Sequence, residues 1–85
     1  MQLKVKHGID CGHFIYKVAV SPDSKYVATG SEDKTIKILE ISTGELIQTL
    51  EGHKAGVYGV EFTPNQKTIM SGSWDRTAKS WDVET

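Results

Sequence analysis

Eighty-five residues is the length of one small domain, and a chain this short buries only about 60–65% of the surface that its unfolded form exposes. Ten basic and eleven acidic side chains nearly cancel, which removes any electrostatic case for nucleic acid or an anionic membrane as partner. No apolar run approaches the roughly 20 residues of a membrane-spanning helix, Met1-Gln2-Leu3-Lys4 does not open a secretory signal, and the single cysteine, Cys11, cannot form an internal disulfide. An intracellular location, cytoplasmic or nuclear, is therefore expected.

In chain order, short strands alternate with turn chemistry. Gln2 to Lys6 reads as a first strand. Phe14 to Val20 is rich in aromatic and β-branched residues and reads as a second. Ser21-Pro22-Asp23-Ser24 suits a type I turn, with proline presetting φ at its second position. Lys25 to Gly30 and Thr35 to Leu39 are strands joined by the tight turn Ser31-Glu32-Asp33-Lys34, and Ile36 and Ile38 share one side of the latter. Ser42-Thr43-Gly44 leads into Glu45 to Leu50. Val57 to Phe62, Lys67 to Ser71 and Arg76 to Trp81 then repeat the series. No segment carries a 3.6-residue period, so no helix is expected.

The repetition is in register. Gly12-His13 and Gly52-His53 open two blocks, and from the proline onward the offset is a constant 42 residues: Pro22/Pro64, Gly30/Gly72, Asp33/Asp75 and Glu40/Asp82. The first block is two residues shorter just after its histidine. It also ends in Leu39-Glu40 where the second ends in Trp81-Asp82, and strand positions Ile36 and Ile38 correspond to Ala78 and Ser80. A period of about 40–45 residues with Gly-His and Trp-Asp landmarks is the signature of a propeller blade.

These residues resemble the WD-repeat β-propeller family over residues 2–85. The resemblance implies an all-β fold of two four-stranded antiparallel blades in the strand order d-abc-d-abc. It divides the chain into a first unit, 2–44, and a second, 45–85. In the family a buried tetrad holds each blade. Carried over, it comprises His53, Ser71, Asp75 and Trp81 in the second block and His13, Thr29 and Asp33 in the first, where Leu39 stands in place of the indole. The first blade is accordingly expected to be held less firmly. Family propellers close by a Velcro-like exchange of an outer strand, and propellers run from about four to eight blades. Three or four copies of this chain would complete a ring by homo-oligomerisation. The competing reading is a fragment of a longer propeller.

Partners of such propellers commonly bind the top face. The matching positions here are Tyr16 and Glu32 in the first block and Tyr58, Trp74 and Arg76 in the second. Tyrosine and tryptophan are the residue types that dominate interface hot spots. The resemblance thus implies a non-catalytic scaffold for a protein or peptide. A purely structural self-assembly module is the alternative, and an enzyme is the least favoured reading. Ser, His and Asp all occur, but the tetrad claims them. His7, Cys11 and His13 have the residue types of zinc ligands without the spacing of a standard site, so no metal or cofactor is expected.

Overall fold

The computed structural model of the chain describes residue 8 and residues 12–65 and 67–83. The expected strand at Gln2 to Lys6 lies outside the described residues, as do His7 and Cys11. Within them the chain is all β: β1 (Ile15–Val20), β2 (Tyr26–Ser31), β3 (Thr35–Glu40), β4 (Leu46–Glu51), β5 (Val57–Phe62), β6 (Thr68–Ser73) and β7 (Ala78–Asp82). These bounds lie within two residues of those read from alternation and turn chemistry.

All pairing is antiparallel. β1-β2-β3-β4 form a four-stranded sheet and β5-β6-β7 a three-stranded one. β4 follows the first repeat in sequence yet pairs with β3, from Thr35↔Glu51 to Leu39↔Leu46. Repeat and sheet are thus out of phase by one strand. Two four-stranded blades were expected, and among the described residues a single copy supplies one complete sheet and one that lacks its outer strand.

The turns explain why these short strands stop where they do. Ser24, Lys34 and Arg76 adopt left-handed backbone, at φ 62°, 76° and 72°. Lys34 and Arg76 donate their amides to the carbonyls of Ser31 and Ser73, closing the β2–β3 and β6–β7 turns. The carboxylates of Asp33 and Asp75 accept the amides of Thr35 and Thr77, an Asx turn that fixes the return direction. Asp23 and Asn65 do the same for Lys25 and Lys67 in the turns at the opposite end.

The core lies in the seam between the sheets. Ala28, Ile36, Ile38 and Leu50 from the first sheet meet Val57, Val60, Ile69 and Val83, with Ala19, Tyr26, Phe62 and Trp81 packed around them. β5 lies against β1 and β2. The approach is close. A Cβ on Gly30 would stand 2.9 Å from both the carbonyl oxygen and Cγ1 of Val57. The corresponding Gly72 faces the open side of the second sheet, where the nearest atom, Tyr58 Cζ, is 3.4 Å away. The same asymmetry accounts for strand β7. Ala78 and Ser80 are exposed, while their counterparts Ile36 and Ile38 are buried because a second sheet covers them.

Candidate functional site

Two of the pairing ladders are interrupted at matching places. In β1, Ile15 opposes Ser31 and Lys17 opposes Gly30, so Tyr16 has no partner. In β5, Val57 opposes Ser73 and Gly59 opposes Gly72, so Tyr58 has none. Both tyrosines are therefore bulge residues. A bulge breaks the strict alternation of faces and re-aims the side chain of its extra residue. Tyr16 and Tyr58 are each 48% exposed.

The two bulges stand beside the β2–β3 and β6–β7 turns, which carry Glu32 and Trp74. Trp74 donates its amide to the Gly56 carbonyl, and its indole is 68% exposed. The Tyr58 and Trp74 rings are 4.9 Å apart at 51°. A Cβ on Gly56 would lie 3.0 Å from Tyr16 Cε2 and 3.4 Å from both Trp74 Cδ1 and the Glu32 Cα. Tyr16, Glu32, Tyr58 and Trp74, from both sheets, thus gather around one glycine. Glu32 is fixed by the Phe14 amide at 3.1 Å, and His13 Nδ1 is 3.7 Å from its carboxylate. Arg76 is exposed two residues beyond Trp74. The bulges carried no signal in the sequence, because they depend on what the partner strand does.

Beneath this surface, the second block assembles a hydrogen-bonded chain. Trp81 Nε1 donates to Ser71 Oγ at 2.8 Å, Ser71 Oγ stands 2.7 Å from His53 Nε2, and His53 Nδ1 stands 3.0 Å from Asp75 Oδ2. An ionised carboxylate only accepts, so Nδ1 carries the proton, Nε2 accepts from the Ser71 hydroxyl, and every group is satisfied with a neutral imidazole. Asp75 Oδ2 also accepts the Lys54 amide at 2.9 Å, and Ser73 Oγ donates to the Ala55 carbonyl. The Thr77 hydroxyl, the Lys54 amide and His53 together hold the Asp75 carboxyl well below the usual carboxylate range. The Trp81 ring meets His53 edge-on, with centroids 5.8 Å apart.

The Ser–His–Asp order matches that of a hydrolytic triad, but its setting does not. Ser71 is 4% exposed and its oxygen already accepts the indole proton, so this hydroxyl does not reach the surface as a nucleophile.

The first block is a correction to the expected tetrad. His13, Thr29 and Asp33 are not brought together. His13 is exposed beside Glu32, and Thr29 Oγ1 is buried with no hydrogen-bond partner. Asp33 Oδ2, whose counterpart holds His53, is taken instead by Lys37 Nζ at 2.7 Å. Its Oδ1 accepts from the Ser31 and Thr35 hydroxyls at 2.8 and 2.6 Å. Burial pushes the Asp33 carboxyl up, but Lys37 and these hydroxyls outweigh it and hold the group well below the usual range. The cause is the two-residue shortening after His13. In the second block those two places are Lys54 and Ala55, whose amide and carbonyl tie the loop to the β6–β7 turn. Without them His13 has no path to Asp33, and the nearest cation fills the vacancy. The length difference is visible in the sequence and was the signal for this outcome.

No group of three or more metal-ligating side chains occurs among the described residues. No helix among them is long and apolar enough to cross a membrane.

The sequence profile described as "WD domain, G-beta repeat" matches residues 4–39 and 44–82. Over 48 residues the chain is 39% identical to the general transcriptional corepressor TUP1 of Saccharomyces cerevisiae, covering 56% of this chain and 7% of that protein. Over 42 residues it is 50% identical to the ribosome biogenesis protein BOP1 homolog of Drosophila virilis, and 48% identical to that of Drosophila grimshawi. Each of these two alignments covers 47% of this chain and 5% of the relative. The chain thus spans less than a tenth of the length of these curated relatives. The two matched segments, the two sheets in register and the Gly-His to Trp-Asp landmarks agree, and the chain belongs to the WD-repeat family, of which it carries two repeats.

Proposed function

We propose that the chain is a non-catalytic scaffold that binds a protein or peptide on the surface formed by Tyr16, Glu32, Tyr58, Trp74 and Arg76. The observation that carries this reading is the convergence of three exposed aromatic side chains from two sheets around Gly56. Exposed aromatic groups offer large apolar area at low entropic cost. Glu32 and Arg76 add charges of both signs, which favour one partner orientation. The relatives are named for transcriptional corepression and ribosome biogenesis, which supports an intracellular role in assembly. The burial of Ser71 weighs against hydrolysis.

The test is selection from a displayed peptide library. Ligands retained by the folded chain should be lost by a Tyr58→Ala/Trp74→Ala variant with an unchanged far-UV spectrum. Equal retention would overturn the assignment.

The sheet faces favour a second, finer reading, in which like blades complete a propeller. Val18 and Val20, exposed on the first sheet, correspond to Val60 and Phe62, which pack into the seam. The outer face of the first sheet therefore has the chemistry of a face that already binds a blade. Units 2–44 and 45–85 would each supply the outer strand of one blade and the inner strands of the next. Three or four copies would close a ring. Light scattering at low micromolar concentration should then give three to four times the 9.4 kDa chain mass. A monomer would eliminate this reading and leave the first intact.

A further inference from the structure

The opposite end of the seam carries a different surface. The β1–β2 and β5–β6 turns lie at the far ends of their strands from Glu32 and Trp74, about six residues or roughly 20 Å away. Between them the two sheets part around a cleft of about 470 Å³. That volume lies within the roughly 300–1,000 Å³ typical of ligand sites. Its floor is apolar, made by Ile38, Ile47, Phe62 and Val83. Ile47 is there by virtue of a third bulge. Ile38 opposes Gln48 and Leu39 opposes Leu46, which leaves Ile47 unopposed on β4. Its side chain is 45% exposed.

The charged residues lining the cleft are Asp23, Lys25 and Lys67. The Asp23 carboxylate accepts from the Ser21 hydroxyl at 2.6 Å and from the Lys25 amide at 3.0 Å. These bonds and the charge of Lys25 keep Asp23 ionised, with its pKa below the usual carboxylate value. Lys25 and Lys67 are exposed, and the positive charge of Lys25 acts on the neighbouring Asp23 carboxylate. The cleft therefore combines an apolar floor with a rim on which two lysines outweigh one aspartate.

We propose that this cleft is a second recognition site, and that its ligand is an extended peptide segment with apolar side chains flanked by carboxylates. The apolar side chains fill the floor beside Ile47 and Phe62, and the carboxylates meet the ammonium groups of Lys25 and Lys67. Burial of the apolar part gives the affinity, while the rim charges select acidic over basic segments. The site is independent of the aromatic surface and stands or falls without it.

The test is an NMR titration of the full chain, resolving methyl and aromatic side-chain signals, with the synthetic peptide acetyl-Gly-Phe-Glu-Ile-Glu-Gly-amide. Saturable shifts of the Ile38, Ile47 and Val83 methyl signals are expected. Replacing both glutamates of the peptide by lysine should abolish them. A Lys25→Glu/Lys67→Glu variant, altered only at exposed positions, should bind roughly tenfold more weakly. A Trp74→Ala variant should bind unchanged. The proposal is overturned by the absence of saturable shifts, by an equal response to the lysine peptide, or by shifts confined to Tyr16, Tyr58 and Trp74.

Discussion

Two turns built from the same residues behave differently in this molecule. Ser31-Glu32-Asp33-Lys34-Thr35 and Ser73-Trp74-Asp75-Arg76-Thr77 share their hydroxyls, their aspartate and their left-handed fourth residue. In the second, Asp75 reaches 21 and 22 residues back, to the Lys54 amide and His53. In the first, all the bonds that Asp33 receives come from within four residues. One aspartate joins distant parts of the chain, and the other tidies its own turn. The motif is the same, and what differs is a loop that is two residues too short. A tetrad is therefore a property of loop length as much as of residue identity.

The largest expected effect comes from making the second block like the first. Trp81→Leu removes the indole that caps Ser71 and packs against His53, and should cost about 2–4 kcal/mol by chemical denaturation. The reverse change, Leu39→Trp, places a larger side chain where Leu39 is already buried and should destabilise by about 1–3 kcal/mol. A gain from Leu39→Trp would mean that the first block still holds a space for the indole.

Next in size is the seam. Gly30→Ala forces a methyl group against the Val57 backbone and should cost about 1–3 kcal/mol. Gly72→Ala on the open face should stay within about 0.5 kcal/mol in a single copy. If Gly72→Ala proves as damaging as Gly30→Ala, the open face is covered in solution, and like blades are the first candidates to cover it.

The aspartates themselves rank third. Asp75→Ala should lower Tm by at least twice as much as Asp33→Ala, because it releases a loop as well as a turn, and equal shifts would mean that the two aspartates hold the fold equally. Both carboxyls are held below their unfolded value of about 3.9. Their stabilising effect is therefore fully present above that pH and is lost progressively as pH falls from there through the lower folded-state value. Tm should be flat above about pH 5 and drop below pH 4, and an Asp33→Asn/Asp75→Asn variant should show a shallower drop.

The smallest expected effect is also the sharpest probe. Inserting Lys-Ala between His13 and Phe14 restores the missing loop length. His13 should then compete with Lys37 for Asp33 and give Thr29 a partner. A rise in Tm of a few degrees, about 1 kcal/mol or less, is expected. A fall would show that Lys37 has become the better ligand.

The seven described strands were legible because alternation and turn residues are local, and Ser-x-Asp-x-Thr turns announce themselves. The grouping of His53, Ser71, Asp75 and Trp81 was expected only through the resemblance to the WD-repeat family, since nothing in the spacing alone joins them. What escaped was non-local. Tyr16, Tyr58 and Ile47 sit in strands that read as regular, and only their partners make them bulges. Lys37 on Asp33 escaped because a surface lysine carries no mark of an unfilled carboxylate beside it. The fate of His13 was readable in principle, since two missing residues shorten a loop whatever the motif says.

The one-strand offset between repeat and sheet has a consequence for taking the molecule apart. A cut in the Ser42-Thr43-Gly44 loop would leave β4 on one piece and its partner β3 on the other. Neither piece could then complete the four-stranded sheet alone, and each would recover its ladder only by finding its mate. A cut between His53 and Gly56 would instead free that sheet whole. The first position is thus the natural one for a split pair that signals when its halves meet, and the second is where such a pair would fail.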